Sequence, residues 1–389
     1  MYSYCNTIFN QLLSFLPKHK FDQFVGQHNA DKYVKKLTTW NQLTALLYAQ
    51  ATDKESLREI ETGLSMHAGK WYHLGIKSVA KSSLSDANNR RDYRIFESLF
   101  YAFLEKNKEL TPNRTFKFNN PLYSFDSSTI QLSLNIFPWA YYQKAKGAIK
   151  IHTLLNNRTT IPELLVVTDG KEQDMVVART AGLDIAQHSI LVMDKAYIDL
   201  KWFRKLNKSN YYFVTRIKTH MLYRVIEEEN RFLGKGVVKS EIIKFTGRWG
   251  KKHYPDKLRL ITYIDSETNK EYQFMTNNLK LAPKTIANIY KSRWQIEVFF
   301  KWIKQNLKIK TFLGTSKNAV LTQIWVAMIY YLLLSYIKFQ TKLDKSLLEF
   351  TRMIRETLMM RQNLIDLLSL NINQIYKIDK IKQPQLAFF

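Results

Sequence analysis

From Thr7 to about Lys108 the apolar positions recur at helical spacing, with short breaks. Leu37, Trp40, Leu43, Leu46 and Leu47 fall on one face of a predicted helix over Leu37–Gln50. Asp53 is predicted to cap a second helix over Lys54–Leu64, because its carboxylate can accept from free first-turn amides. Ser82 or Ser83 is expected to open a short helix that runs to Asn89, with a longer one over Arg91–Lys106. The period stops in Leu110–Asn120, which holds Thr111, Pro112, Asn113 and the pair Asn119 and Asn120. Strand patterns follow at Pro121–Leu132, Ala148–Leu155 and Leu164–Thr168. A helix is expected over Met175–Ile185, a compact apolar strand over Ser189–Met193 and another helix over Ile198–Leu206. Between Asn210 and Asn277 the pattern is almost wholly β, with strands at Tyr211–Ile217, Val237–Phe245, Leu258–Ile264 and Glu271–Thr276. Helical spacing resumes at Pro283 and lasts to about Leu370, and Asn371–Phe389 is a basic tail without a period.

Strands alternating with helices, behind a helical N-terminus, place the chain in the α/β class with a mixed sheet. Hydrophobic residues at 46% and charged residues at 24% exclude a disordered chain. The charge changes the picture more. Fifty-nine Lys and Arg against 33 Asp and Glu leave +26. Such an excess repels itself in a compact state unless a polyanion is the working partner, and nucleic acid leads over an anionic membrane surface. The single cysteine, Cys5, excludes an intramolecular disulfide and a cysteine-based zinc site and fits a reducing compartment. No secretory signal is read at Met1–Lys18, and a cytoplasmic location is expected. Ala319–Phe339 is apolar over about the length of a bilayer span. Thr322, Gln323, Ser335 and Lys338 interrupt it, so it is read as a buried core helix and no membrane partner is expected.

Three carboxylates stand out against that frame. Asp126 lies inside an apolar strand, where a carboxylate is costly unless paired or bound to a cation. Asp194 lies where an apolar strand ends, the usual place for functional groups in an open sheet. Glu297 lies on a helix predicted over Thr285–Leu307. At about 100° per residue, Arg293, Glu297 and Lys304 all fall within about 60° of Tyr290, beside an apolar face of Ile289, Ile296, Phe299, Phe300 and Ile303. Three converging carboxylates need a cation, and oxygen-only donors with open positions suit Mg²⁺ or Mn²⁺. Two such ions can activate an attacking oxygen and stabilise the leaving one at a phosphodiester, while Arg293 and Lys304 hold phosphates beside the cut.

The run Tyr290-x2-Arg293-x3-Glu297-x6-Lys304 resembles the signature of the insertion-sequence transposases of the IS-four family. Asp194–Tyr197 resembles that family's second-aspartate motif, and Phe125–Ser128 its first. The resemblance implies an RNase H-like mixed sheet with a β-rich insertion, preceded by an all-helical domain. It implies catalytic and metal-binding roles for Asp126, Asp194 and Glu297, and end-DNA contacts for Tyr290, Arg293 and Lys304. It further implies metal-dependent cutting at element ends, a hairpin intermediate, joining of the 3′-hydroxyl to target DNA, and a homodimer on paired ends. The expected organisation is a helical DNA-binding domain over 1–110, a first core part over 121–206 and the insertion over 207–280. A second core part is expected over 281–340 and a helical C-terminal region over 341–389, with Leu343–Leu370 as a partner surface.

Further DNA contacts are expected at Trp249, a candidate stacking platform among cations, and at Asn88, Arg90 and Arg91, residue types that read base edges. Lys146, Lys150 and Lys195 are weaker phosphate candidates, and His152 is read first as a core histidine. Asp169 and Asp174 are read as a turn residue and a helix cap, outside the site. Two rival functions are a metal-dependent nuclease that cuts without joining and a non-catalytic DNA-binding protein descended from a transposase.

Overall fold

The computed structural model describes residues 6–107, 118–143, 146–229, 234–309 and 311–369. Cys5, most of the expected boundary at Leu110–Asn120 and the tail from Asn371 lie outside them. The N-terminal helices are α1 Ile8–Ser14, α2 Lys18–Gln27, α3 Thr39–Thr52, α4 Leu57–Ser65, α5 Trp71–Leu74, α6 Lys81–Arg90 and α7 Arg94–Lys106. Asp53 does not open α4. Its backbone is left-handed at φ 62 and ends α3, while Ser56 caps α4 by accepting from the Glu59 amide. The short aspartate side chain tolerates that backbone, which leaves its carboxylate free for long-range pairing.

The central region contains strands β1 Leu122–Leu132, β2 Tyr141–Gln143, β3 Lys146–Asn156, β4 Pro162–Asp169 and β5 Ile190–Val192. It continues with β6 Tyr212–Arg216, β7 Tyr223–Glu228, β8 Val237–Phe245, β9 Leu258–Ile264 and β10 Glu271–Thr276. Helices α8 Asp174–Thr180, α9 Leu200–Lys208, α10 Arg248–His253, α11 Pro283–Ser292 and α12 Trp294–Asn306 are interleaved with or follow these strands. The chain then forms α13 Lys317–Thr341, α14 Leu347–Thr357 and α15 Leu364–Ser369. β2, β7 and α10 are additions to the sequence expectation; β2 is three residues long, and β7 is exposed beyond the partly buried Tyr223 and offers no apolar run to read.

The strands form one mixed sheet in the order β2-β3-β1-β5-β6-β10-β9-β8-β7, with β4 also on β3. β5 runs parallel to β1 and β6; the remaining pairs are antiparallel. Alternation puts Leu191, Met193 and Phe213 on one face with Phe203 of α9 and Tyr254. Leu122, Ile190, Val192 and Val214 point to the other, against Ile286, Ala287 and Ile289 of α11. The strands of the expected β-rich insertion continue the same sheet, because β6 lies on β5 and carries β10 beyond it.

The chain divides into two compact units, one of Met1–Leu110 with Asn306–Phe389 and the other of Thr111–Gln305. The expected second core part over 281–340 thus falls on both, 281–305 with the sheet and 306–340 with the helices. α13 packs against α3, α6, α7 and α14 within the helical unit, and 94% of its most apolar stretch is buried there. An apolar helix without one polar face must be covered on all sides, and these helices cover it.

Candidate active site

The sheet register builds a row of polar side chains. Ser124 of β1 lies beside Val192 of β5, and Val192 beside Val214 of β6. Two residues further along, Asp126, Asp194 and Arg216 follow onto the face covered by α11. Arg216 pairs in turn with Phe274 of β10, whose ring stacks on Tyr290 at 4.7 Å between centroids. Asp194 leaves β5 in extended backbone and caps the turn Lys195–Tyr197, accepting from the Lys195 amide. Tyr197, buried beside Phe125, directs its hydroxyl to Asp126 Oδ1 at 3.5 Å.

The signature residues do not lie on one straight helix. Tyr290 ends up on α11, Arg293 at the break and Glu297 and Lys304 on α12. Around Arg293 the backbone makes i to i−3 bonds, from its amide to the Tyr290 carbonyl and from the Ile296 amide to its own carbonyl. That tighter turn interrupts the helical period, which corrects the single helix expected over Thr285–Leu307. Arg293 Nη2 donates to Glu297 Oε1 at 2.6 Å, and its Nη1 stands 3.9 Å from Asp126 Oδ2. Arg216 Nη2 pairs with Asp194 Oδ1 at 3.2 Å. Both guanidinium groups lie 5.8 Å from the Tyr290 ring, so one aromatic ring borders two cations that each pair with carboxylate. Tyr290 is buried and packs rather than presenting a free face. Lys304 Nζ donates to the Thr129 carbonyl at 2.9 Å and ties α12 to β1.

Burial raises the Asp126 pKa to about 6; the Ser127 amide and Arg293 work against the rise, while Asp194 and Glu297 add to it. Arg293 is held above its ordinary value although burial opposes its charge, through Glu297, Tyr290 and Asp126. Among the described residues, no three His, Cys, Asp or Glu side chains already form a group able to hold a metal ion. Arginines stand between the carboxylates instead. The donor set still fits a hard divalent cation: it is oxygen-only, and Asp126, raised mainly by burial, is raised further by Asp194 and Glu297, whose negative charge a cation offsets.

Other expected contacts divide. Asn88 and Arg91 are internal, which corrects their expected place on DNA. Asn88 Oδ1 accepts from Gln42, and Arg91 donates to Gln42 and to two backbone carbonyls. Helical spacing alone placed both near Arg90, which is exposed. Trp249 is 64% exposed and borders a pocket of about 370 Å³ with Lys201, Lys218, His220 and Phe245. Leu200 and Phe245 in that pocket belong to the sheet face opposite the carboxylate row. His152 is buried, with Nε2 2.9 Å from Thr168 Oγ1, and burial lowers its pKa to about 4.

Arg216 was not singled out from the sequence, although a cation closing an apolar strand parallel to the one before Asp194 was a usable sign. Asp174, expected only as a cap, accepts from Ser127 Oγ at 2.8 Å and Lys150 Nζ at 3.2 Å, one residue from Asp126. That link spans 47 residues and has no local signature.

Residues 118–333 match the family model described as Transposase DDE domain, and residues 4–77 match a domain of unknown function, DUF4372. A protein of Geobacillus stearothermophilus, by name a transposase for insertion sequence element IS5377, is 30% identical over 283 residues, covering 72% of this chain and 74% of its own. The protein y4zB of Sinorhizobium fredii, a transposase by name, is 29% identical over 291 residues, 74% of this chain and 80% of its own. A structure of the piggyBac transposase in a synaptic complex with hairpin DNA matches with TM-score 0.45 and 13% identity, covering 98% of this chain and 85% of that one. That likeness is too low to carry an argument.

Proposed function

The chain belongs to the DDE transposases, metal-dependent enzymes that act on DNA, and from that premise we propose that Asp126, Asp194 and Glu297 form its catalytic centre. On this reading it cuts at the ends of an insertion sequence and joins the freed 3′-hydroxyl to target DNA, by two-metal hydrolysis and transesterification through a hairpin intermediate. The observation that carries it is the register, which sets Asp126 and Asp194 side by side on the face covered by α11, with Glu297 linked to Asp126 through Arg293.

The sheet order β4-β3-β1-β5-β6, antiparallel on one side of β1 and parallel on the other, supports an RNase H-like core. Bound Mg²⁺ or Mn²⁺ supplies charge neutralisation, an activated attacking oxygen and a polarised phosphate. The three carboxylates are its holders. Asp126 gives up its proton above about pH 6. Arg293, released from Asp126 and Glu297, turns a bidentate guanidinium to a backbone phosphate. Tyr290 packs beside both Arg293 and Arg216, and Lys304 fixes the height of α12 on β1. Trp249, exposed among cations, stacks an unpaired base. The partner is double-stranded DNA, the working form a homodimer on paired ends, and the location the cytoplasm, on the nucleoid.

The test uses a plasmid carrying the gene's flanking inverted repeats and a supercoiled target. Asp126→Ala, Asp194→Ala and Glu297→Ala should each abolish Mg²⁺-dependent cleavage and leave duplex binding within about twofold. Normal cleavage by any one of them removes that residue from the site. Cleavage by the unaltered protein without covalent joints to target would make it a nuclease.

A further inference from the structure

The basic loop between α2 and α3 is braced from inside the helical unit. The buried Arg91 donates through Nε to the Ala30 carbonyl at 3.2 Å and through Nη2 to the Leu37 carbonyl, and Nη2 is 3.3 Å from Asp31 Oδ1. Its Nη1 meets Gln42 of α3 at 3.1 Å. Asp31 Oδ1 also accepts from the Thr39 amide and hydroxyl, each at 2.7 Å. Asn41 Nδ2 reaches the Lys36 carbonyl at 3.3 Å. One guanidinium therefore holds both ends of the segment Ala30–Leu37, and a loop fixed at two ends presents its tip in a set geometry.

The tip carries the chemistry of a polyanion contact. Lys32, Tyr33, Lys35 and Lys36 are all exposed, and the one acid of the loop, Asp31, is turned inward onto Arg91 and Thr39. Tyr33 is 88% exposed, and Lys32 Nζ lies 5.2 Å from its ring centre. Its backbone is left-handed at φ 61, a conformation that tyrosine adopts only under constraint. An aromatic ring held outward at a cost in backbone energy, among three cations, does nothing for the fold it sits on.

We propose that Lys32, Tyr33, Lys35 and Lys36 form a DNA-binding tip that grips the sugar–phosphate backbone of duplex DNA, with Arg91 as its positioning residue. This rests on the reading that the protein works on DNA, and it moves the contact of the helical unit from the Asn88–Arg91 segment to the loop that Arg91 braces. Lysines meet phosphates, and the phenol ring lies against the sugar edge. Such contacts are independent of sequence.

The probe is a fluorescein-labelled 40-base-pair duplex of arbitrary sequence, titrated with the full-length protein across a range of KCl concentrations. Each lysine–phosphate contact contributes about 0.9 to the slope of log K against log salt. Lys35→Gln with Lys36→Gln should therefore flatten the slope by about 1.8. Tyr33→Gly should weaken binding about fivefold while raising the melting temperature, since glycine accepts the left-handed backbone without strain. Arg91→Met should weaken binding although its own side chain touches no DNA, and Lys35→Gln with Lys36→Gln decides the matter if that variant does not fold. An unchanged slope in the double variant together with unchanged affinity in Tyr33→Gly overturns the proposal. So does a change of oligomeric state with DNA binding intact, which would make the tip a contact between copies. Metal-dependent plasmid cleavage is measured alongside: unaltered protein that cleaves while the loop variants bind normally sinks the loop and spares the catalytic reading, and loss of all cleavage by the unaltered protein does the reverse.

Discussion

Arg293 donates to Glu297 at 2.6 Å and reaches to within 3.9 Å of Asp126, so a single guanidinium joins an acid on α12 to an acid in the middle of β1. Arg216 on β6 pairs with a single acid, Asp194, just past the end of β5. The carboxylates are thus paired with the protein's own cations, both of which lie near the Tyr290 ring.

That arrangement predicts a dependence of stability on divalent metal. Arg293→Ala leaves Asp126 and Glu297 uncompensated and should cost about 1–3 kcal/mol without metal, because the other half of a largely buried pair is stranded. Mg²⁺ should restore more of the melting temperature in this variant than in the unaltered protein. Equal metal effects in the two would show that Arg293 does not balance the carboxylates.

Asp126 makes a pH-dependent prediction. Its folded pKa is raised, mainly by burial, to about 6, so the native state prefers the protonated acid. The ionised form destabilises the fold fully above about pH 6, and the penalty fades as pH falls toward the ordinary carboxyl value near 4. Asp126→Asn should therefore stabilise the metal-free protein by about 1–3 kcal/mol at pH 7.5 and by almost nothing at pH 4, read from denaturant midpoints.

Tyr290 separates packing from polar contact. Tyr290→Phe keeps the stack on Phe274 and should alter stability by less than about 1 kcal/mol. Tyr290→Ala opens the cluster with Ile286 and Val214 and removes the stack on Phe274, at about 3–5 kcal/mol. Urea unfolding of both variants distinguishes the ring from the hydroxyl.

Asp53 has two roles in one residue. It ends α3 in left-handed backbone and pairs with Lys308 at 2.7 Å and Arg355 at 3.3 Å. Asp53→Asn retains the backbone preference and should lose only about 0.5–1 kcal/mol for the half-exposed pairs. Asp53→Ala should lose about 1 kcal/mol more, from the left-handed position. Equal losses in a thermal melt would remove the backbone component.

Local pattern was enough for much of the molecule. Short runs of β-branched and aromatic residues bounded by polar turns located Val237–Phe245, Leu258–Ile264 and Glu271–Thr276 with the ends that the structure has. A long apolar run broken by Thr322, Gln323, Ser335 and Lys338 marked α13 as a buried helix, and a carboxylate inside an apolar strand drew attention to Asp126. These are properties of neighbours along the chain, and the physics that produces them acts over a few residues.

Long-range pairing decided the rest. The local sign of a helix start is Ser56-x2-Glu59, three residues beyond Asp53; Asp53 itself ends α3, and its carboxylate meets Lys308, 255 residues away by their numbers. Asn88 and Arg91 have the side chains of base readers, and tertiary packing turned them inward onto Gln42 and the loop before α3. Arg216 gained its importance only when β6 settled parallel to β5 and brought it to Asp194. A residue's type and spacing set what it is able to bond; which partner it meets depends on strand register and helix packing, and those are properties of the assembled core.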